Sequence, residues 1–170
     1  TLPKRLMKAH KDGLIHWHDL DYSPLQKMHN CDLINVEDMF INGFQMGDTL
    51  IEPNDETPFE TACNLLAQIN LQVSCCQYGG QTVSWSHLVP YIDKSRKQIR
   101  KQLIEDAYST PYGNFCKKIH IKPYNEKWLN EKTEEKLREE IYKGVKTYQY
   151  QVLCHSSSNG QTPFVSNNLC

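Results

Sequence analysis

The sequence predicts a single α/β domain, because segments with the spacing of amphipathic helices alternate with short apolar runs that suit strands. Its 170 residues are enough for one domain, and 39% hydrophobic and 23% charged residues are typical of a soluble globular protein. A formal net charge of -1 argues against a general nucleic-acid-binding protein. No apolar run approaches the roughly 20 residues that span a bilayer, so no membrane association is expected.

The two ends of the sequence and its cysteines predict the cellular compartment of the protein and whether the sequence is part of a longer chain. Residues 1–18 are polar and mixed and lack the apolar centre of a signal peptide, so we expect a cytoplasmic protein with free thiols. We also expect an internal piece of a longer chain, because the sequence begins at Thr1 and ends at Cys170 just after an apolar stretch. Seven cysteines without a Cys-x-x-Cys pair argue against structural zinc, and most should be buried and inert.

The first third of the chain gives weak signals for secondary structure. Residues 13–23 are rich in turn formers, and residues 28–40 form an apolar segment whose helical or extended character the periodicity leaves open. Residues 43–55 are typical of a loop.

A strong helix start follows at Thr57-Pro58-Phe59-Glu60. Thr57 can act as N-cap, Pro58 suits the first helical position, and Glu60 can reach back as in a capping box. The apolar residues of this helix recur at helical spacing: Phe59, Ala62, Cys63, Leu66, Ile69 and Val73. The helix should end before the double glycine Gly79-Gly80.

Two more helices and a strand are predicted in the second half. Ser86 can cap a helix over residues 87–105, and residues 108–124, with two prolines and a glycine, read as an irregular connection. A Glu- and Lys-rich helix covers residues 126–143. Gly144 either ends this helix or interrupts one that continues to residue 153, and residues 162–169 begin a strand.

Two small groups of side chains could carry chemistry. His16, His18 and Asp19 could bind a metal ion, but a polar turn is the favoured interpretation because no further ligand is obvious. Cys31 follows His29 and Asn30 and could be a nucleophile, although an isolated cysteine is more often a small buried hydrophobe.

Three polar segments could contact phosphate groups. Residues 77–82 and 156–161 contain glycine and form either close-approach loops or plain turns. The basic stretch from Lys94 to Lys101 is either a solvated helix face or a surface that meets a nucleotide phosphate. These patterns alone leave the function open.

Seven short motifs, in the same order, resemble the N-terminal part of the catalytic domain of the anaerobic ribonucleoside-triphosphate reductases. They are His18-Asp19-Leu20-Asp21-Tyr22-Ser23-Pro24, Asn30-Cys31, Asn42-Gly43-Phe44, Ile51-Glu52-Pro53, Tyr78-Gly79-Gly80-Gln81-Thr82, Leu88-Val89-Pro90-Tyr91 and Asn159-Gly160-Gln161-Thr162-Pro163-Phe164-Val165. Each motif alone is weak, whereas together they cover most of the chain and are specific for this family.

The resemblance implies a fold and an activity. The family's catalytic domain is a ten-stranded α/β barrel that holds a finger loop, and residues 1–170 would supply one fragment of it. The ATP cone, the finger loop, the glycyl-radical domain and a C-terminal zinc site would lie elsewhere in the parent. The parent would be a homodimer that a radical-SAM iron–sulfur activase activates. It would reduce ribonucleoside triphosphates to deoxyribonucleoside triphosphates with formate.

The resemblance also assigns a role to Cys31. In the family, a glycyl radical generates a thiyl radical on a finger-loop cysteine, and the thiyl radical takes the 3′ hydrogen of the ribose. A second cysteine, which matches Cys31, helps to expel the 2′-hydroxyl as water. A thiol suits this role because it can donate a proton and also supply an electron through a disulfide-like intermediate.

Further site residues follow from the same resemblance. The expected substrate-binding residues are Asn30, Ser157, Ser158, Asn159, Gly160 and Gln161. Glu52 and Gln68 match part of the site at the dimer interface that binds dNTP or ATP effectors, although Gln68 could equally be an ordinary surface residue. No metal site is expected within this chain.

Two rival functions remain at this point. One is another glycyl-radical enzyme of the acyl-lyase type, which the Asn30-Cys31 and Tyr78-Gly79-Gly80 motifs disfavour. The other is a non-catalytic metal- or nucleotide-binding module that uses His16, His18 and Asp19. Under the reductase reading, the chain by itself is expected to be inactive.

Overall fold

The computed structural model describes residues 3–16, 31–76, 79–156 and 162–169. The described helices are α1 (Lys4–Lys11), α2 (Val36–Asn42), α3 (Phe59–Cys75), α4 (Val89–Ser109), α5 (Pro111–Lys118) and α6 (Glu126–Cys154). The described strands are β1 (Asp32–Ile34), β2 (Phe44–Met46), β3 (Thr49–Ile51), β4 (Gln81–Ser84) and β5 (Val165–Asn168), and a short 3₁₀ helix (Trp85–Leu88) precedes α4.

The strands form a parallel sheet and a separate hairpin. In the parallel sheet β4 lies between β1 and β5, with Asp32 opposite Gln81 and Gln81 opposite Val165. Strands β2 and β3 pair as an antiparallel hairpin. Helices connect the parallel strands, as parallel pairing requires. The α/β class is therefore confirmed in a helix-rich form, and the described strands form no closed barrel.

Helix α3 forms the centre of the core, between the sheet and α6. Its residues Phe59, Cys63 and Leu66 are fully or almost fully buried. Helix α6 approaches them closely at Gly144, where an added Cβ would lie 3.1 Å from the Cys63 sulfur and 3.2 Å from the Phe59 ring. Helix α6 therefore continues through Gly144 to Cys154, because this glycine serves helix packing and does not end the helix.

The N-terminus of α3 is capped by a distant side chain. The prediction that Thr57 is the N-cap was wrong, since Pro58 holds this position and the Thr57 hydroxyl instead accepts a hydrogen bond from the Asn54 backbone at 2.9 Å. The Phe59 backbone N–H donates to the hydroxyl of the buried Ser95 at 2.7 Å, and Ser95 donates to Glu140 at 2.6 Å. Helices α4 and α6 thus satisfy the first turn of α3.

Helix α4 begins later than predicted and is paired with α6. Ser86 does not cap it, because the chain first makes the 3₁₀ turn and α4 starts at Val89. Arg96 binds Glu134 at 2.7 Å and Arg100 binds Glu126 at 2.6 Å. Part of the basic surface of α4 therefore holds α6.

Helix α5 lies in the segment predicted to be irregular, so that prediction was wrong. The Thr110 hydroxyl accepts from the Gly113 N–H at 2.9 Å, and Pro111 occupies the first turn, where its missing N–H costs nothing. Gly113 is needed because an added Cβ would lie 2.0 Å from the Ala107 carbonyl oxygen.

Residues 43–55 were likewise predicted as a loop and contain the β2–β3 hairpin. Gly43 and Gly47 bracket β2 with φ values of 78° and 59°, which favour glycine. Strands of three residues are too short for their alternation to be read from the sequence.

A chain of polar groups, buried except at the bond between Trp85 and Asn167, joins the helices to the sheet. The Gln81 side chain accepts from the Asn70 amide at 2.7 Å and donates to the Asn70 backbone oxygen at 2.8 Å. The Tyr148 hydroxyl donates to the Asn70 side-chain oxygen at 2.8 Å. Trp85 donates to Asn167 at 2.8 Å on β5. These bonds hold α3, α6 and β4 together, and fix the 3₁₀ turn to β5.

Candidate functional site

The parallel sheet has one face in the core and one face open. Successive residues of a strand point to opposite faces, and Gln81 and Val83 are at most 1% exposed on the core side. Leu33 is 85% exposed, and its pairing partner Thr82 is partly exposed, as expected on the other side. We call the face that carries Leu33, Thr82 and Ser166 the open face.

Cys31 lies at one end of the open face. It directly precedes β1 and is exposed, and strand alternation places it on the same side as Leu33. The Asp32 N–H donates to the Gly80 oxygen at 3.1 Å, and the Gln81 N–H donates to the Phe164 oxygen at 2.9 Å. Cys31, Gly80 and Phe164 therefore form a row across the three strand starts.

The predicted substrate-binding residues cannot be placed against this row. Asn30 and the run Ser157, Ser158, Asn159, Gly160 and Gln161 lie outside the described residues. The sequence order alone puts them just before Cys31 and just before Thr162, which leads into β5. They thus precede the two outer strands of the sheet.

The cysteines differ in exposure more than predicted. Among the described residues, Cys63 and Cys116 are buried and Cys75 is partly buried, whereas Cys31, Cys76 and Cys154 are exposed. The expectation that most are buried was therefore wrong for this part of the chain. Burial raises the pKa of the Cys63 thiol to about 12, with Glu140 and Glu60 adding to the effect. Cys63 thus stays protonated and unreactive near neutral pH.

The two predicted effector residues have different neighbours. Gln68 lies on α3, is partly buried and donates to the Gln151 side chain of α6 at 3.4 Å. Glu52 follows β3, is exposed and lies beside Gly43, where an added Cβ would be 3.0 Å from the Glu52 Cγ. No hydrogen bond links these two side chains in the part of the chain that is described.

A polar groove of about 740 Å³ lies between α4 and the loop that follows Glu52. Asp55 and Glu56 line it from the loop, and α4 contributes Lys94, Lys97 and Lys101 together with Glu105, which lies 4.0 Å from Lys101. Lys94 joins α4 to the loop, because its ammonium group donates to the Asn54 oxygen at 3.0 Å and lies 3.3 Å from Asp55. The basic stretch that was singled out in the sequence therefore borders a groove.

Neither a metal cluster nor a membrane span is found in the described residues. His16 is described, but its proposed co-ligands His18 and Asp19 lie outside the described ranges. Elsewhere in those ranges no three His, Cys, Asp or Glu side chains are grouped to hold a metal ion. None of the described helices combines the length and apolar character that a membrane crossing requires.

Sequence reasoning singled out Cys31 as a candidate but did not identify the open face, because that face depends on which strands pair. The one available signal was the alternation of Gln81 and Val83 with Thr82 and Ser84 in β4. A strand of four residues is too short to make such a signal decisive.

Comparisons with known proteins agree with the motifs. The family model described as anaerobic ribonucleoside-triphosphate reductase matches residues 1–170. The protein of that name from Enterobacteria phage T4 is 37% identical over 172 residues, which cover 97% of this chain and 24% of the phage protein. Those from Salmonella typhimurium and Escherichia coli K12 are each 35% identical over 167 residues, which cover 97% of this chain and 21% of each relative. The chain thus spans between a fifth and a quarter of their length.

Proposed function

The chain belongs to the family of anaerobic ribonucleoside-triphosphate reductases, and on that premise we propose that its full-length protein reduces ribonucleoside triphosphates to deoxyribonucleoside triphosphates for DNA synthesis. The match over the whole chain, including all seven motifs, supports this proposal. The chain alone should be inactive, because it corresponds to at most 24% of the relatives' length.

Cys31 is the residue of this chain that acts in the chemistry. When bound substrate has lost its 3′ hydrogen to a thiyl radical, the Cys31 thiol donates a proton to the 2′-hydroxyl, which then leaves as water. The observation that carries this role is the position of Cys31, exposed on the open face at the start of a parallel strand. A proton donor must come within hydrogen-bond reach of the leaving oxygen, and a buried thiol such as Cys63 could not do so.

The rest of the protein completes the site around the open face. Strands β1 and β5 are the outer strands of the described sheet, so each has a free edge for further strands of the ten-stranded barrel. The open face then becomes part of the barrel interior. Asn30 and residues 157–161 bind the substrate, because they adjoin β1 and β5 at the end where Cys31 lies.

Effector nucleotides bind at a site that includes Glu52 and Gln68. The loop after Glu52 is fixed to α4, and Lys97 and Lys101 offer ammonium groups along the adjoining groove. Ammonium groups suit the phosphates of a dNTP or ATP. Gln68 contributes from α3, at the junction with α6, where it is still partly exposed.

The parent protein supplies the remaining parts. These are a glycyl radical formed by a radical-SAM iron–sulfur activase, formate as the reductant, a zinc site in the C-terminal region and a second subunit of a homodimer. The protein works in the cytoplasm. This chain contributes the proton-donating thiol and one part of the binding surfaces.

The test uses the full-length protein, activated without oxygen and assayed for CTP reduction with formate. Cys31→Ala and Cys31→Ser should keep the glycyl radical, measured by electron paramagnetic resonance, and lose at least about a hundredfold in dCTP formation. Cys31→Ser should not rescue activity, because a hydroxyl can donate a proton but cannot form the disulfide-like intermediate. Cys154→Ala is the matched control, because Cys154 is an exposed thiol at the end of α6.

Two outcomes would contradict the proposal in different ways. If Cys31→Ala turns over at the wild-type rate, Cys31 is a packing residue and its assigned role is wrong. If the wild-type protein forms its radical but never reduces a nucleotide, the proposed activity itself is wrong.

A further inference from the structure

Two amide side chains are buried in a part of the core that is otherwise apolar. Asn70 of α3 is 0% exposed and Gln81 of β4 is 1% exposed, and their neighbours on the same elements, Leu66, Ile69 and Val83, belong to the hydrophobic core. A buried amide gives up its hydrogen bonds to water, so replacing both partners of such a pair by apolar groups of the same shape can be nearly neutral for stability. Stability alone therefore does not explain this pair.

The hydrogen bonds of the pair fix how β4 sits against the helices. The Gln81 side-chain oxygen accepts from the Asn70 amide at 2.7 Å, and the Gln81 amide donates to the Asn70 backbone oxygen at 2.8 Å. The Tyr148 hydroxyl of α6 donates to the Asn70 side-chain oxygen at 2.8 Å and so orients the Asn70 amide. Hydrogen bonds depend steeply on angle, whereas hydrophobic contacts have no preferred direction. Helices α3 and α6 therefore hold residue 81 more closely than apolar packing would.

Gln81 lies at the end of β4 that adjoins Cys31. It is the first residue of β4 and pairs with Asp32, the residue after Cys31. The Asp32 N–H donates to the oxygen of Gly80, the residue before Gln81, at 3.1 Å. A shift of β4 at residue 81 is therefore passed directly to the backbone that carries Cys31. Val83, the next core-facing residue of β4, is apolar, so its side chain makes no such directional contact.

We infer that Asn70 and Gln81 are positioning residues, which hold the start of β4 and thereby keep the Cys31 thiol within reach of the leaving 2′-oxygen. This inference rests on the proposed function and deepens it. Proton donation requires a heavy-atom distance of about 3 Å. A misplacement of about 1 Å can lower the rate of a reaction about a hundredfold. The amide pair supplies positional precision for the chemistry, and the fold does not need that precision.

The experiment separates position from stability in the full-length, activated enzyme. Gln81→Met leaves the Asn70 amide unsatisfied and should lower both the thermal midpoint and kcat for CTP. The double variant Asn70→Leu with Gln81→Met removes both partners, and the Tyr148 hydroxyl keeps the Asn167 side-chain oxygen as an acceptor at 3.4 Å. Its thermal midpoint should recover, while its kcat should stay at least about tenfold low because the directional link is still missing. Recovery of both together would overturn the inference.

A second readout follows the hydrogen atom that the thiyl radical removes. From CTP that carries tritium at the 3′ carbon, abstraction moves the tritium to the finger-loop sulfur, leaving a carbon radical on the sugar and a thiol that exchanges its tritium with water. Abstraction does not use Cys31, whereas loss of the 2′-hydroxyl does. In both Gln81 variants the tritium released per dCTP formed should therefore rise by about the factor by which kcat falls. A loss of folded enzyme would leave this ratio unchanged, and an unchanged ratio would overturn the inference.

Trp85→Phe is the matched control at the other end of β4. Trp85 follows β4 directly and donates to Asn167 of β5 at 2.8 Å, so the variant removes one directional bond away from Cys31. The control should keep the wild-type kcat and tritium ratio. An equal rise of the ratio in Trp85→Phe would overturn the inference, because the sheet as a whole would then matter.

Cys31→Ala tests the premise separately. It removes the proton donor itself, so it should raise the tritium ratio at least as far as the Gln81 variants do. If Cys31→Ala reduces CTP at the wild-type rate, or if the wild-type enzyme carries its radical but reduces no CTP, the proposed function fails first.

Discussion

Removal of the Ser95 hydroxyl tests how the first turn of α3 is held. In Ser95→Ala the Phe59 N–H loses its acceptor at 2.7 Å, and Glu140 loses the hydroxyl that donates to it at 2.6 Å. Ser95 is fully buried and Phe59 is 2% exposed, so water cannot easily replace the lost hydroxyl. An unsatisfied buried donor costs about 1–3 kcal/mol, and a hydrogen bond to a charged group contributes about 1.5–3 kcal/mol. Because both losses share one atom, we expect a total of about 2–3 kcal/mol.

The labelling rate of Cys63 measures this loss in the full-length protein. Cys63 lies in the second turn of α3 and is fully buried, so a thiol reagent reaches it only when this end of α3 opens. After the exposed thiols have been blocked, a loss of 2–3 kcal/mol should accelerate Cys63 labelling by about 30- to 150-fold. The control Thr57→Ala should accelerate it less than about fivefold, because the Thr57 hydroxyl serves only the preceding loop. A larger effect of Thr57→Ala than of Ser95→Ala would refute the capping by Ser95.

Two further predictions concern the effector residues and alkaline pH. Gln68→Ala should weaken the response of substrate choice to added dNTPs. Gln151→Ala removes the 3.4 Å partner of Gln68 and the 2.8 Å bond to Asn64 across the same α3–α6 junction, and it should leave that response unchanged. Equal changes in both variants would mean that the α3–α6 junction matters and not a ligand contact. Burial raises the pKa of Cys63 from 9.0 to about 12, so the protonated thiol contributes stability that is complete below pH 9 and is lost as the pH rises toward 12. The free energy of unfolding, measured by denaturant titration, should therefore fall by up to about 1.4 kcal/mol per pH unit in this window. It should fall less steeply in Cys63→Ala than in the buried-thiol control Cys116→Ala, and equal slopes would exclude Cys63 as the cause.

Local sequence patterns predicted helices α3 and α6 well. The apolar spacing and Pro58 located α3 to within one residue of its start, and the Glu- and Lys-rich pattern located the start of α6 at Glu126. The predicted strand over residues 162–169 contains β5. Each of these features depends on side chains within a few turns of one another, which is the range that a periodicity argument covers.

Features that depend on distant contacts could not be predicted in this way. Gly144 ends or continues a helix depending on whether Cys63 and Phe59 lie beside it, and Ser95 caps a helix that begins 36 positions earlier. For the site, the motifs singled out Cys31 through family resemblance. The neighbourhood of Cys31 and Gly80 depends on the pairing of β1 with β4, which no local pattern contains.

The order of strands in the parallel sheet has a consequence during protein synthesis. Asp32 of β1 pairs with a residue roughly fifty positions later, and β4 pairs with a strand more than eighty positions later still. At about 5–20 residues per second, the ribosome needs roughly 2–10 s to produce β4 after β1, and longer to produce β5. During this interval Leu33 and the unpaired edge of β1 have no native partner. In that time a chaperone can bind the exposed β1 segment of the nascent chain, whereas the sheet cannot yet form.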